Sequence, residues 1–170
     1  TRPFWQGCWS TRSVVVVEVN GYTIEPEADL AGADLEGADL EGARLEFANL
    51  KGANLKGANL TRAYLEGVAL QGADLRGADL KGAMLSHANL RHANLEGANL
   101  TEAGGKRVHL EGANLKGANL REANLWAVLA MGDCSEWAFF KGAIADERTM
   151  WPMATHAGPF DPVAAGVTFD

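Results

Sequence analysis

A chain of 170 residues with 15 basic and 22 acidic side chains, a formal charge of −7 and a pI near 5.1 holds enough material for one core. It lacks the basic footprint that nucleic acid or an anionic membrane surface demands. A hydrophobic content of 47% excludes an acidic disordered tail, and no apolar run approaches the roughly 18 to 20 residues of a membrane span, since Val14 to Val17 meets Glu18 at once. Two cysteines, Cys8 and Cys134, are too few for a disulfide framework. The amino end has neither the basic start nor the long apolar stretch of a secretory signal, so the expected location is cytoplasmic.

In chain order, residues 1–27 form a leader in which Val14 to Val19, followed by the turn residues Asn20 and Gly21, predicts a strand running into the body of the protein. From there leucine takes every fifth position: Leu30, Leu35, Leu40, Leu45, Leu50, Leu55, Leu60, Leu65, Leu70, Leu75, Leu80, Leu85, Leu90, Leu95 and Leu100, then Leu110, Leu115, Leu120 and Leu125. Alanine usually stands two places before, Asn or Asp between, and glycine two places after. On an α-helix five residues advance about 500°, so successive leucines could not share a face. In a straight strand five is odd, and they would alternate between faces. The chain must therefore turn a corner in every pentad, with leucine and alanine pointing to a common axis, Asn or Asp pointing out, and glycine supplying the corner.

Pentads such as GADLEGADLEGARL and KGANLKGANL resemble the pentapeptide-repeat family. The resemblance implies an all-β fold, a right-handed quadrilateral parallel β-helix with four pentads per coil. It covers residues 28–145, and an unbroken register over that span makes about six coils with capped ends, a stack about 29 Å long at about 4.8 Å per coil. The stretch VEVNGYTIEPEADL is similar to the lead-in of many bacterial, often cyanobacterial, members, and ADERTMWP with FDPVAAG is similar to their closing segment, here 146–170, with MATHAG as extra length. Gly105 interrupts the leucine series, which predicts either a gap in the core or a bulge over residues 104–107. Past Leu125 the motif fades, although Ala138, Phe140 and Ala143 keep its phase. The five tryptophans, Trp5, Trp9, Trp126, Trp137 and Trp151, lie in or near the flanks, where an open-ended solenoid needs caps.

The outward slot before the central leucine departs from Asn or Asp at Arg44, Tyr64, Met84 and Gly104, twenty residues apart. Four pentads per coil would stack these departures on one wall, and Phe47, His87 and Arg107 depart from glycine at a corner of the same wall. Arg44, Phe47, Tyr64, Met84, His87 and Arg107 thus have the composition of an interface. Neutral drift at tolerant positions stays open as the other reading.

No catalytic constellation is present. Neither cysteine has a partnered histidine and a cleft, and His87, His92 and His109 do not form a convergent metal set, so no cofactor, no metal and no enzymatic activity are expected. The partner is expected to be another protein, with no direct nucleic-acid or membrane binding, and a homodimer through the acidic carboxyl-terminal segment is left open. The family resemblance also makes a gyrase-protecting imitation of duplex DNA conceivable. Against it, residues 28–128 carry thirteen acids and eleven bases, only −2, whereas a phosphate mimic needs a dense anionic surface.

Overall fold

The computed structural model describes residues 17–124, 140–151 and 161–170. β1 (Val17–Val19) and β2 (Tyr22–Ile24) form an antiparallel hairpin around Asn20 and Gly21. Both turn residues have positive φ, 53° and 81°, as a two-residue hairpin matching the strand twist requires. The hairpin leans on the first coil: Asn20 Nδ2 donates to the Asp34 carbonyl (3.2 Å), and the Asp34 N–H donates to the Tyr22 hydroxyl (3.4 Å).

Beyond the hairpin the chain winds as a ladder. Asp29 bridges Asn49 in parallel, Asp34 bridges Asn54, and each slot in turn bridges the one twenty residues on, as far as Gly104 with Asn124. Four pentads therefore make one coil, and the slots fall into four columns, one per wall. Core leucines from Leu30 to Leu120 are buried, as are most of the alanines two places before them; Leu125 lies outside the described residues. Leucine and the small residue two before it both point inward, and the small slot takes nothing larger than valine among the described residues, at Val68 and Val108.

The pentad motif follows from where its five N–H groups go. In the pentad of residues 49–53, Asn49 N–H donates to the Ala28 carbonyl of the coil before, while Leu50 and Gly52 donate to Ala69 and Gln71 of the coil after. Ala53 N–H closes the corner onto the Leu50 carbonyl (3.1 Å). The remaining donor, Lys51 N–H, has no backbone acceptor in reach and is taken by Asn49 Oδ1 (3.4 Å). The same bond recurs from Asp34, Asp39, Asn54, Asp79, Asn94 and Asn114. Asn or Asp is thus favoured by the donor that each corner leaves over, since a polar group without a partner is costly. The amide then reaches the coil before, as in Asn54 Nδ2 to Asp34 Oδ1 (3.0 Å). The corner residue after the turn's first position has φ near +60°, which is why it is usually glycine.

The register expected through position 145 does not hold as six even coils. Asn119 is bridged by Ile144, 25 residues on, and Asn124 by Met150, 26 on. One additional pentad is spent between Asn119 and Ile144, so Phe140 and Ala143 keep the five-residue phase and are buried while the coil count shifts. A further residue is absorbed where Asp146 Oδ1 accepts the Glu122, Arg148 and Thr149 N–H groups and the Thr149 hydroxyl donates to the Leu120 carbonyl (2.8 Å). Those N–H donors, Glu122 foremost, hold the Asp146 carboxyl below its usual value.

β3 (Ile144–Ala145) pairs in parallel with β4 (Thr168–Phe169), adding a strand to one wall, and Arg121 forms an ion pair with Asp170. Trp151 stands edge-on to Phe140 and Phe169, with ring centroids 6.0 and 6.2 Å apart. Trp5, Trp9, Trp126, Trp137, Cys8 and Cys134 lie outside the described residues.

Gly105 leaves no gap. A Cβ built there would stand 2.6 Å from the Leu85 carbonyl carbon and 2.7 Å from Ser86 Cα, so the backbone has moved in against the preceding coil. Glycine here permits a close approach of two backbones.

Candidate functional site

Three of the four walls present columns rich in Asn and Asp, tied by the bonds described above. The fourth reads Arg44, Tyr64, Met84, Gly104, Asn124 and Met150, each bridged to the next. None of the first four carries a carboxylate or carboxamide, so this wall gives up the bond that stabilises the others. Arg44 instead directs Nε and Nη2 to Glu46 Oε1 (3.0 and 2.9 Å). Tyr64, Met84 and Met150 are 42%, 46% and 43% exposed, and Phe47 on the adjoining corner is 61% exposed.

The corners point to the same wall. Non-glycine residues with positive φ include Phe47, His87 and Arg107 along one edge and Arg62, Glu102 and Glu122 along the other. A third corner carries only His92, and the fourth is glycine at 37, 57, 77, 97 and 117. Holding an L-residue in this conformation costs roughly 1 to 2 kcal/mol, so the side chains with a conformational cost are concentrated around one face. Phe47 also lies flat on the next coil: a Cβ on Gly67 would be 2.6 Å from Phe47 Cε1.

The structure thus brings Arg44, Tyr64 and Met84 into one column and Phe47, His87 and Arg107 onto one edge. It adds Met150, which pentad counting overlooks because 26 residues separate it from Asn124. It also adds Arg62, Glu102 and Glu122, whose spacings of forty and twenty, whole numbers of coils, were visible in the sequence.

On a different wall a buried carboxylate was not foreseen. Glu111 is 6% exposed, Arg91 Nη2 donates to its Oε1 (3.0 Å), and His109 Nδ1 lies 3.5 Å from the same oxygen, while Oε2 has no hydrogen-bond partner. Burial is the strongest single influence and acts to raise the Glu111 carboxyl, but the Arg91 hydrogen bond and charge, a backbone N–H and His109 together outweigh it and the net shift is downward. A carboxyl lowered by folding contributes stability above its unfolded value, near 4.5, and that contribution is lost as pH falls through the folded value. Arg91→Ala should therefore cost about 2 kcal/mol at pH 7, where it strands a buried charge. The cost should shrink as the pH is lowered and Glu111 takes up its proton; urea titrations of both chains over a falling pH series measure the difference.

The ladder, the pentad and the wall define a repeat solenoid, and the chain belongs to the pentapeptide-repeat family. The family profile, pentapeptide repeats, matches eight copies over residues 28–67, 63–102 and 106–126. Members of this family adopt a right-handed quadrilateral β-helix. Among solved structures, the chain is similar to a pentapeptide repeat protein of the Arabidopsis thaliana thylakoid lumen, at 36% identity over 63% of this chain and 71% of that one, TM-score 0.45. It is also similar to one from the cyanobacterium Cyanothece 51142, at 32% identity over 75% and 90% of the two chains, TM-score 0.44. A third is QnrB1, a plasmid-mediated fluoroquinolone resistance protein, at 20% identity over 86% and 87%, TM-score 0.40, a likeness of fold alone. No curated protein matches the chain. The cytoplasmic location expected from the cysteines and the amino end is withdrawn: a similar repeat protein comes from the thylakoid lumen, so the repeat occurs outside the cytoplasm and fixes no compartment here.

Proposed function

We propose that the protein is a non-enzymatic interaction rod whose partner surface is the Arg44–Tyr64–Met84 wall. One observation carries the reading: among the described residues, this wall replaces the stabilising Asn and Asp column with exposed aromatic, thioether and guanidinium side chains, and strained corner residues border it on both edges. Interfaces are enriched in these residue types.

Restoring the repeat's own residues tests it. In the triple variant Arg44→Asn, Tyr64→Asn and Met84→Asn, each new amide would accept the leftover N–H of its corner, and each such bond is worth about 0.5 to 1.5 kcal/mol. The melting temperature should rise while association with proteins captured from the host weakens. A variant that is as stable and as sticky as the parent would show the wall to be idle.

Gyrase protection by DNA imitation is disfavoured by the mixed charge of the walls, where Lys56 pairs with Glu36, Lys81 with Glu102 and Lys116 with Glu96. Salt-sensitive inhibition of gyrase supercoiling by the purified protein would reverse that judgement.

A further inference from the structure

We infer that the wall's partner is a second copy of this chain, docked face to face and antiparallel about a two-fold axis that passes at the level of Met84. The inference rests on the wall being an interaction surface, and it comes from relief and charge together. One coil before Met84 the wall carries a knob, Tyr64, 42% exposed. One coil after Met84 it carries a notch, since Gly104 and Gly105 present no side chain and a Cβ on either would collide with a neighbouring coil. An antiparallel copy sets each Tyr64 over the other's notch and lays Met84 on Met84, a self-complementary contact of the kind a two-fold dimer requires.

The charged edges select the same register. On one edge Arg62, which leans across Gly82, comes opposite Glu102 of the second copy, and Glu41 comes opposite Arg121, which also pairs with Asp170 of its own chain. On the other edge Glu66 comes opposite Lys106 and Arg107. Lys81 faces its own copy, but each Lys81 is already paired with Glu102 at 3.5 Å. Moving the axis to lie between Tyr64 and Met84 would instead set Glu41 against Glu102 and Arg62 against Lys81, like charges on like. A parallel pairing would set Arg44 on Arg44 and Tyr64 on Tyr64 and leave the two notches facing each other. Register is what charges at the rim of an interface determine best.

The strip is one wall wide and about five rungs of 4.8 Å long, small beside the roughly 800 Å² per partner of a stable interface, so the dimer is weak and concentration-dependent.

Sedimentation of the native chain over a loading series up to about 1 mM should show reversible dimerisation that added salt weakens. Arg62→Glu alone and Glu102→Arg alone should each weaken it at least about tenfold, since each sets like charges together twice. An equimolar mixture of the two variants should recover association as a heterodimer, detected by native mass spectrometry, because each altered side chain then meets its opposite. Both substitutions are on exposed corners, and an unchanged melting temperature confirms folding. A native chain that stays monomeric throughout, single variants that associate like the parent, or a mixture that fails to pair overturns the inference; the last result is the one a parallel dimer would give. If the native chain is monomeric while the triple wall variant loses a captured partner, only the self-pairing fails and the interaction reading survives.

Discussion

Gly105→Leu will destabilise the rod by about 3 kcal/mol or more, although on the repeat's own rule leucine belongs there. In an evenly wound coil the side chain would join Leu45, Leu65 and Leu85 and fill a cavity, and stability would rise. The observed chain has closed that space with backbone: the added Cβ would meet Leu85 and Ser86 main-chain atoms, which cannot rotate aside as a side chain can. Accommodating leucine means pushing residues 104–107 outward and breaking the bonds by which Gly104 and Lys106 carbonyls accept Leu85 and His87 N–H (2.9 and 2.7 Å). Chemical denaturation of the variant beside the parent gives the answer, and a gain in stability would mean that the coil is wound evenly there.

Ala73→Leu should be nearly as severe, at roughly 2 to 3 kcal/mol, because Ala73 is 1% exposed in a core already filled by buried leucines such as Leu70 and Leu75. Its N–H closes a corner on Leu70 and its carbonyl accepts Asn94, so the backbone on both sides is tied to its neighbours. Lys51→Leu, at an exposed corner, adds a similar apolar side chain to the outside and should leave the melting temperature almost unchanged. Equal losses from the two substitutions would contradict the inward and outward faces of the pentad.

Much of the fold was legible in the residues because the rule is local. A leucine every fifth position with alanine two before it forces a corner per pentad, and departures spaced by twenty already marked the length of a coil. Arg44, Tyr64 and Met84 could be assigned to one column on that spacing alone. What escaped has a common physical cause: phase counted in fives is blind to a whole extra pentad. Ala143 therefore looked regular while the chain had taken 25 residues from Asn119 to Ile144, and Met150 was hidden in the wall it completes. Glu111 escaped for another reason. Its position after a central leucine is normally a solvated corner, and nothing local tells that this carboxylate is buried beside Arg91. Asn and Asp were recognised as outward-facing, yet their bond to the leftover corner donor emerges only once the turn geometry is known.

The uniform span of the ladder also bears on how the protein folds. From Asp29 to Asn124 each slot bridge joins residues twenty apart, so closing the second coil and closing the fifth cost nearly the same chain entropy. Only the first closure proceeds without a finished edge to add to. Formation of the first two coils is then the slow event, and later coils are laid down on an existing template, as expected for one-dimensional repeats. Folding time should consequently depend little on how many coils a rod of this kind contains. The 25- and 26-residue closures at Ile144 and Met150, which span more chain than the regular steps, would set the pace of the final layer.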